Sequence, residues 1–162
     1  MTEDQIKKLI LDHIEEVAKL IQLADMELAF RAVHHDEDKI EPEQLRLHKE
    51  FTPIKCAYRS TEYFQNLEKL APVLERHYQV SRHHPEHFSD IGEMNLIDLL
   101  EMICDWIACT KMREDGDIFK SIDINQKRFG YGEELKRILD NTAMFLFLKS
   151  RMEEMADASS DS

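Results

Sequence analysis

Two imidazoles, three carboxylates and an ammonium follow one another without a gap in His34-His35-Asp36-Glu37-Asp38-Lys39, directly after an apolar run. Adjacent His35 and Asp36 offer a divalent cation a nitrogen and a hard oxygen at a helix end, where backbone donors no longer compete for the side chains. Taken alone, the run reads equally well as a solvated acidic turn. A second concentration lies further on, where His77, Arg82, His83, His84, Glu86 and His87 crowd around Pro85. Packing gives little reason for so many imidazoles, and an exposed polar loop is the competing explanation. A third group, Asp98, Glu101 and Asp105, lies at i, i+3 and i+7 on one line of a helix that is otherwise apolar. Such a stripe must reach solvent, a cation or hydrogen-bond donors, because burying an unpaired charge is prohibitively costly. His84-Pro85-Glu86 also matches half of a zinc deaminase site. No Pro-Cys-x-x-Cys follows it, and Cys104 and Cys109 stand about 140° apart around a helix, so that chemistry is set aside.

The elements that must position these groups are helices. From about Glu3 to Leu23 the residues Ile6, Leu9, Ile10, Ile14, Val17, Leu20 and Ile21 recur at three and four, one stripe of an amphipathic helix. His13 falls inside that stripe and is expected to face the core. A second helix, about Asp25 to His34, turns Met26, Ala29, Phe30 and Val33 inward and delivers the His-Asp pair at its C-terminal end. Glu41-Pro42-Glu43 reads as the start of a third, and Thr52-Pro53 as its end. Helical pattern resumes from Ile54 to about Ser81, with Pro72 either kinking one helix or opening another. Asn95 and Asp98 cap a helix over about Leu96 to Lys111. A further helix follows Asp115-Gly116-Asp117, closes with Lys127 and Arg128, and stops at Phe129 before Gly130. The last runs from about Gly132 to Met155, and the small, acidic stretch Ala156 to Ser162 is expected to be disordered.

With 162 residues, only four Gly and four Pro, and no alternating β-branched runs, the chain is expected to be a single all-α domain of six to seven helices over residues 1–155. A net charge of -12 without any basic cluster argues against nucleic-acid polymers as partners. A small anionic ligand remains compatible, since a bound cation and a few local bases can reverse the field within one pocket. No apolar run is long enough for a membrane span and no leader is visible, so the cytoplasm is the expected compartment. The three cysteines lack paired zinc-site spacing and are expected to be reduced core residues.

Set in order, these groups resemble the HD superfamily of metal-dependent phosphohydrolases, whose pattern is a histidine, a His-Asp pair often continued as x-x-Lys, and a distant aspartate on a helical bundle. The matching positions are His13, then His35, Asp36 and Lys39, then Asp105, and the resemblance covers roughly residues 5 to 110. More narrowly, the strings HHDEDK, HHPEH, EMICDW and INQKRFGY are similar to those of a family of small bacterial and bacteriophage proteins with no established activity. There the first string runs closer to HD-x-SK, and Asp38 stands here in place of that serine.

The resemblance implies an HD-like fold and a divalent metal ion held by His13, His35, Asp36 and Asp105. Such a mixed nitrogen and oxygen set suits Mn²⁺, Fe²⁺, Co²⁺, Ni²⁺ or Zn²⁺ and leaves room for water and a substrate oxygen. The expected reaction is hydrolysis of a small phosphorylated metabolite, a nucleotide first, with Lys39, Arg82 and Arg128 on the phosphate. His77, His83 and His84 are expected as ligands of a second ion or as acids and bases, with Glu86, counted among the catalytic groups, and Glu101 behind them. Two other classes compete: a helical binding or regulatory protein without turnover, and an oxygenase using redox iron. A pairing of two copies is compatible with each.

Overall fold

Capping and breaker residues set most element ends in the structure, a computed structural model that describes residues 1–51, 56 and 59–160. Six α-helices follow in order among the described residues: α1 (Glu3–His34), α2 (Pro42–Phe51), α3 (Thr61–Val80), α4 (Leu96–Lys111), α5 (Ile118–Phe129) and α6 (Glu133–Ser160). Short 3-10 turns cover Glu37–Ile40, Pro85–His87 and Ile91–Glu93, and no strand occurs among the described residues. The protein is all-α, and it divides into two compact units, Met1–His35 and Asp36–Ser162.

The first unit corrects the expectation of two helices. Thr2 opens α1 with a capping box, its hydroxyl accepting from the Gln5 backbone while its own N–H donates to the Gln5 side chain. Nothing then interrupts the helix before His34, because Leu23-Ala24-Asp25 contains neither Gly nor Pro and a mid-helix aspartate costs only tenths of a kcal/mol. Taken by itself, the unit is one helix with an apolar stripe, and none of its residues is buried. His13 lies exposed within that stripe rather than in a core.

In the second unit α2 begins at Pro42 as expected, while Thr52 and Pro53 lie outside the described residues. Ser60 caps α3 by accepting from Tyr63 N at 3.1 Å, and the helix runs from Thr61 through Pro72 as one element, while Ile54, its expected start, lies outside the described residues. Asn95 and Asp98 form the expected capping box of α4. Asp117 caps α5, and Gly130 ends it in the left-handed region at φ 71°. The core joins Ile91 and Met94 to Met102, Ile103 and Trp106 of α4, Ile122 of α5, and Leu139 and Ala143 of α6. Tyr131, between the last two helices, donates its hydroxyl to Ile122 O at 2.8 Å. Helix α6 continues to Ser160, past the expected start of a disordered tail at Ala156, and Asp161 and Ser162 lie outside the described residues. Of the cysteines only Cys56 is buried; Cys104 and Cys109 are exposed on α4, and all three are free thiols. No helix among the described residues is long and apolar enough to cross a membrane.

Candidate metal centre

Asp36 adopts φ 59° and ψ 18° as it enters the Glu37–Ile40 turn. Aspartate is among the few non-glycine residues that visit this region routinely. Lys39 closes the turn twice, its backbone N–H donating to Asp36 O at 2.9 Å and its ammonium to Asp36 Oδ2 at 2.7 Å. The carboxylate is thereby fixed with Oδ1 toward the imidazoles, 3.2 Å from His77 Nε2 and 3.5 Å from His83 Nε2.

Those imidazoles come from the last turn of α3 and from the segment that follows it. His77 is fully buried, with Nδ1 2.9 Å from both carboxylate oxygens of Asp38 and Nε2 2.9 Å from His84 Nε2. His83 is 3 % exposed and turns Nδ1 toward Glu101 Oε1 at 3.2 Å. Each buried ring therefore has one nitrogen on a carboxylate behind it and the other facing Asp36. Donor atoms of Asp36, His77, His83 and His84 all lie within 4.8 Å of one another, and the Asp105 carboxylate comes within 4.8 Å of that of Asp36. Neutral imidazoles and carboxylates gathered so closely can hold a divalent transition metal.

Electrostatics favour the ligand forms. Burial pushes the Asp36 carboxyl up, but hydrogen bonds from His77 and His83 together with the Lys39 ammonium outweigh it and hold the pKa well below the carboxylate range. Burial, reinforced by repulsion from His83, His77 and Lys39, lowers His84 to about 3. At neutral pH His84 is an uncharged imidazole with a lone pair to give.

The acidic stripe of α4 is shared among three partners. Asp98 is fully buried and receives the Arg82 guanidinium through two bonds of 3.1 and 2.8 Å, Glu101 backs His83, and Asp105 borders the cluster. Arg82 was expected on a phosphate; its guanidinium is instead forked onto Asp98 and lies over the Phe88 ring. His87 aims Nδ1 at Tyr78 O at 2.9 Å, a structural bond. The expected role of His13 fails on geometry within its own unit. Along an unbroken helix at 1.5 Å per residue it stands roughly 30 Å from the end that carries His34, so His13 and the adjacent His35 cannot grip one ion. His35 closes the first unit, one peptide bond before Asp36. Lys39, expected on phosphate, is engaged with Asp36.

Beside the cluster lies a cavity of about 610 Å³ whose wall includes His84 and Asp105. Tyr63, Tyr78, Trp106 and Phe129 supply aromatic surface, with the Trp106 and Phe129 rings near parallel at 6.5 Å. Arg59, Arg113, Lys120 and Arg128 equal in number the acids Glu86, Asp105, Asp115 and Asp117, so the wall is balanced where the chain at large is strongly acidic. Glu86 and Arg128, expected at the site, both line this wall and pair with each other. Sequence reasoning missed Asp38 as the partner of His77, because the two are 39 positions apart. It also missed His48 of α2, whose pKa is lowered by burial and then by Lys39 and His77.

Searches of the curated proteins and of the solved structures find no match. A family model matches residues 2–153, nearly the whole length, and the chain belongs to that family, DUF5662, a family of unknown function.

Proposed function

We propose that this protein is a cytoplasmic metal-dependent phosphohydrolase acting on a small phosphorylated metabolite, with nucleotides the first class to test. The observation that carries the reading is that His84 and Asp105 belong at once to the donor cluster and to the cavity wall. A ligand seated in that cavity thus lies against the groups suited to hold an ion. His77, His83, His84, Asp36 and Asp105 would hold it. A bound divalent cation supplies a water of lowered pKa and polarises a phosphoryl oxygen. Arg128, steadied by Glu86, and Lys120 offer cationic contacts to an anionic group. The aromatic wall offers stacking surface to a planar ring, and the buried amide of Asn125 offers a donor and an acceptor. Burial keeps His84 neutral at physiological pH, so it would offer a lone pair to the ion.

The test uses protein purified without a histidine tag. Metal analysis should find a bound transition metal, and nucleoside phosphates should be hydrolysed with added Mn²⁺, Co²⁺ or Ni²⁺ and not after chelation. Asp36→Asn should lower kcat/KM by at least about 10²-fold, the scale set by removing a group that stabilises developing charge. Hydrolysis that survives Asp36→Ala at the wild-type rate would rule the reading out. Stoichiometric metal without turnover of any phosphate ester would favour the binding protein.

A further inference from the structure

The buried ring of His77 is held from both ends by one three-residue stretch of chain, Asp36 to Asp38. Asp36 Oδ1 stands 3.2 Å from Nε2, and both oxygens of Asp38 stand 2.9 Å from Nδ1. A carboxylate can only accept, so the Asp38 contact places a proton on Nδ1. The Ser81 hydroxyl, 3.1 Å from the same nitrogen, can donate or accept and does not decide the matter. The same rule lets Nε2 carry a proton toward Asp36 Oδ1 while no ion is bound; with Nδ1 held by Asp38, Nε2, which faces Asp36 and lies 2.9 Å from His84 Nε2, is the nitrogen whose proton an ion would displace. Two imidazole nitrogens so close need something positive to share, a proton or a metal.

We propose that Asp38 is a positioning residue: it fixes the Nδ1–H form of His77 and aims Nε2 into the cluster, and so sets the affinity of the site for metal. The proposal rests on the metal-site reading above. Its reach is local, because Asp38 comes from the same turn as Asp36; the turn that provides one ligand also orients another. Glu101 stands behind His83 in the matching place, 3.2 Å from Nδ1, so the two buried rings are backed alike.

The experiment uses the full-length protein labelled with ¹⁵N-histidine, with His77 assigned by the signals lost in His77→Gln. In the wild type, long-range ¹H–¹⁵N correlations should show the proton on His77 Nδ1 both without metal and with Zn²⁺ bound. Asp38→Ala should raise the Zn²⁺ dissociation constant about 10- to 100-fold, the usual cost of removing a carboxylate behind a metal-bound histidine, and Asp38→Glu should recover part of it. An unprotonated Nδ1 in the wild type overturns the proposal without any variant. So does an Asp38→Ala protein that folds and binds Zn²⁺ as tightly as the wild type. The hydrolase reading fails separately: absence of turnover with the Zn²⁺ and tautomer results intact removes the enzyme and leaves Asp38 in its role.

Discussion

Asp36 is the residue on which the cluster turns, held in a left-handed conformation with one carboxylate oxygen on Lys39 and the other toward His77 and His83. Such conformations persist where surrounding contacts over-determine them, and they gather at functional sites. Arg82 makes the opposite case. Its residue type and its place in a histidine-rich segment marked it for phosphate, yet its fork is closed on Asp98, a carboxylate with no exposed surface. Removing the partner of a buried charge costs far more than losing a surface ion pair. Arg82→Ala should therefore lower unfolding stability by roughly 3 kcal/mol in urea titration while leaving Zn²⁺ affinity within about twofold. A variant of unchanged stability but weakened hydrolysis would return Arg82 to the substrate. For His13 the expectation is simpler. His13→Ala should retain the metal content of the wild type, since along α1 the residue stands roughly 30 Å from the end that carries His34.

At the scale of elements, the sequence was legible wherever a local rule governs. Pro42, Asn95 with Asp98, Asp117 and Gly130 mark ends that the structure reproduces, because capping and left-handed stops are decided within a few residues. The joint between the first two expected helices was misread. Neither Gly nor Pro stands at residues 23–25, so the helix simply continues, and with it goes the pairing of His13 with the His-Asp end. The site itself was legible as composition: Asp36, Asp105 and the imidazoles 77, 83 and 84 were all singled out, but which of them meet was not. His77 finds Asp38, and Arg82 finds Asp98, through tertiary contacts that no spacing encodes. The continuity of α1 is open to test. Ala24→Pro would break one long helix and cost about 3 kcal/mol of helix stability, visible as lost helical circular dichroism; a variant with full helicity would restore two separate helices.

For the whole molecule, the cluster couples metal, protons and stability. Burial first, and then repulsion from His83, His77 and Lys39, lowers the His84 pKa to about 3 in the folded chain. Its ordinary value is about 6.5. The unfolded chain therefore takes up this proton more readily, and the contribution of His84 to stability is complete above pH 6.5 and is lost progressively as pH falls toward 3. The Asp36 carboxyl, held low against the cost of burial by His77, His83 and Lys39, acts in the same direction in a lower window, beginning below pH 4. Metal-free protein should accordingly lose urea resistance between pH 7 and pH 5, and His84→Asn should flatten that loss relative to its own value at pH 7. Bound metal adds to the slope, since protons compete with the ion for the same nitrogens. At a free Zn²⁺ concentration of about 100 times the dissociation constant the holo form should gain about 2.7 kcal/mol, and the gain should shrink on acidification. An identical pH profile in wild type and His84→Asn, with and without Zn²⁺, would show that this imidazole neither sits neutral in the fold nor faces an ion.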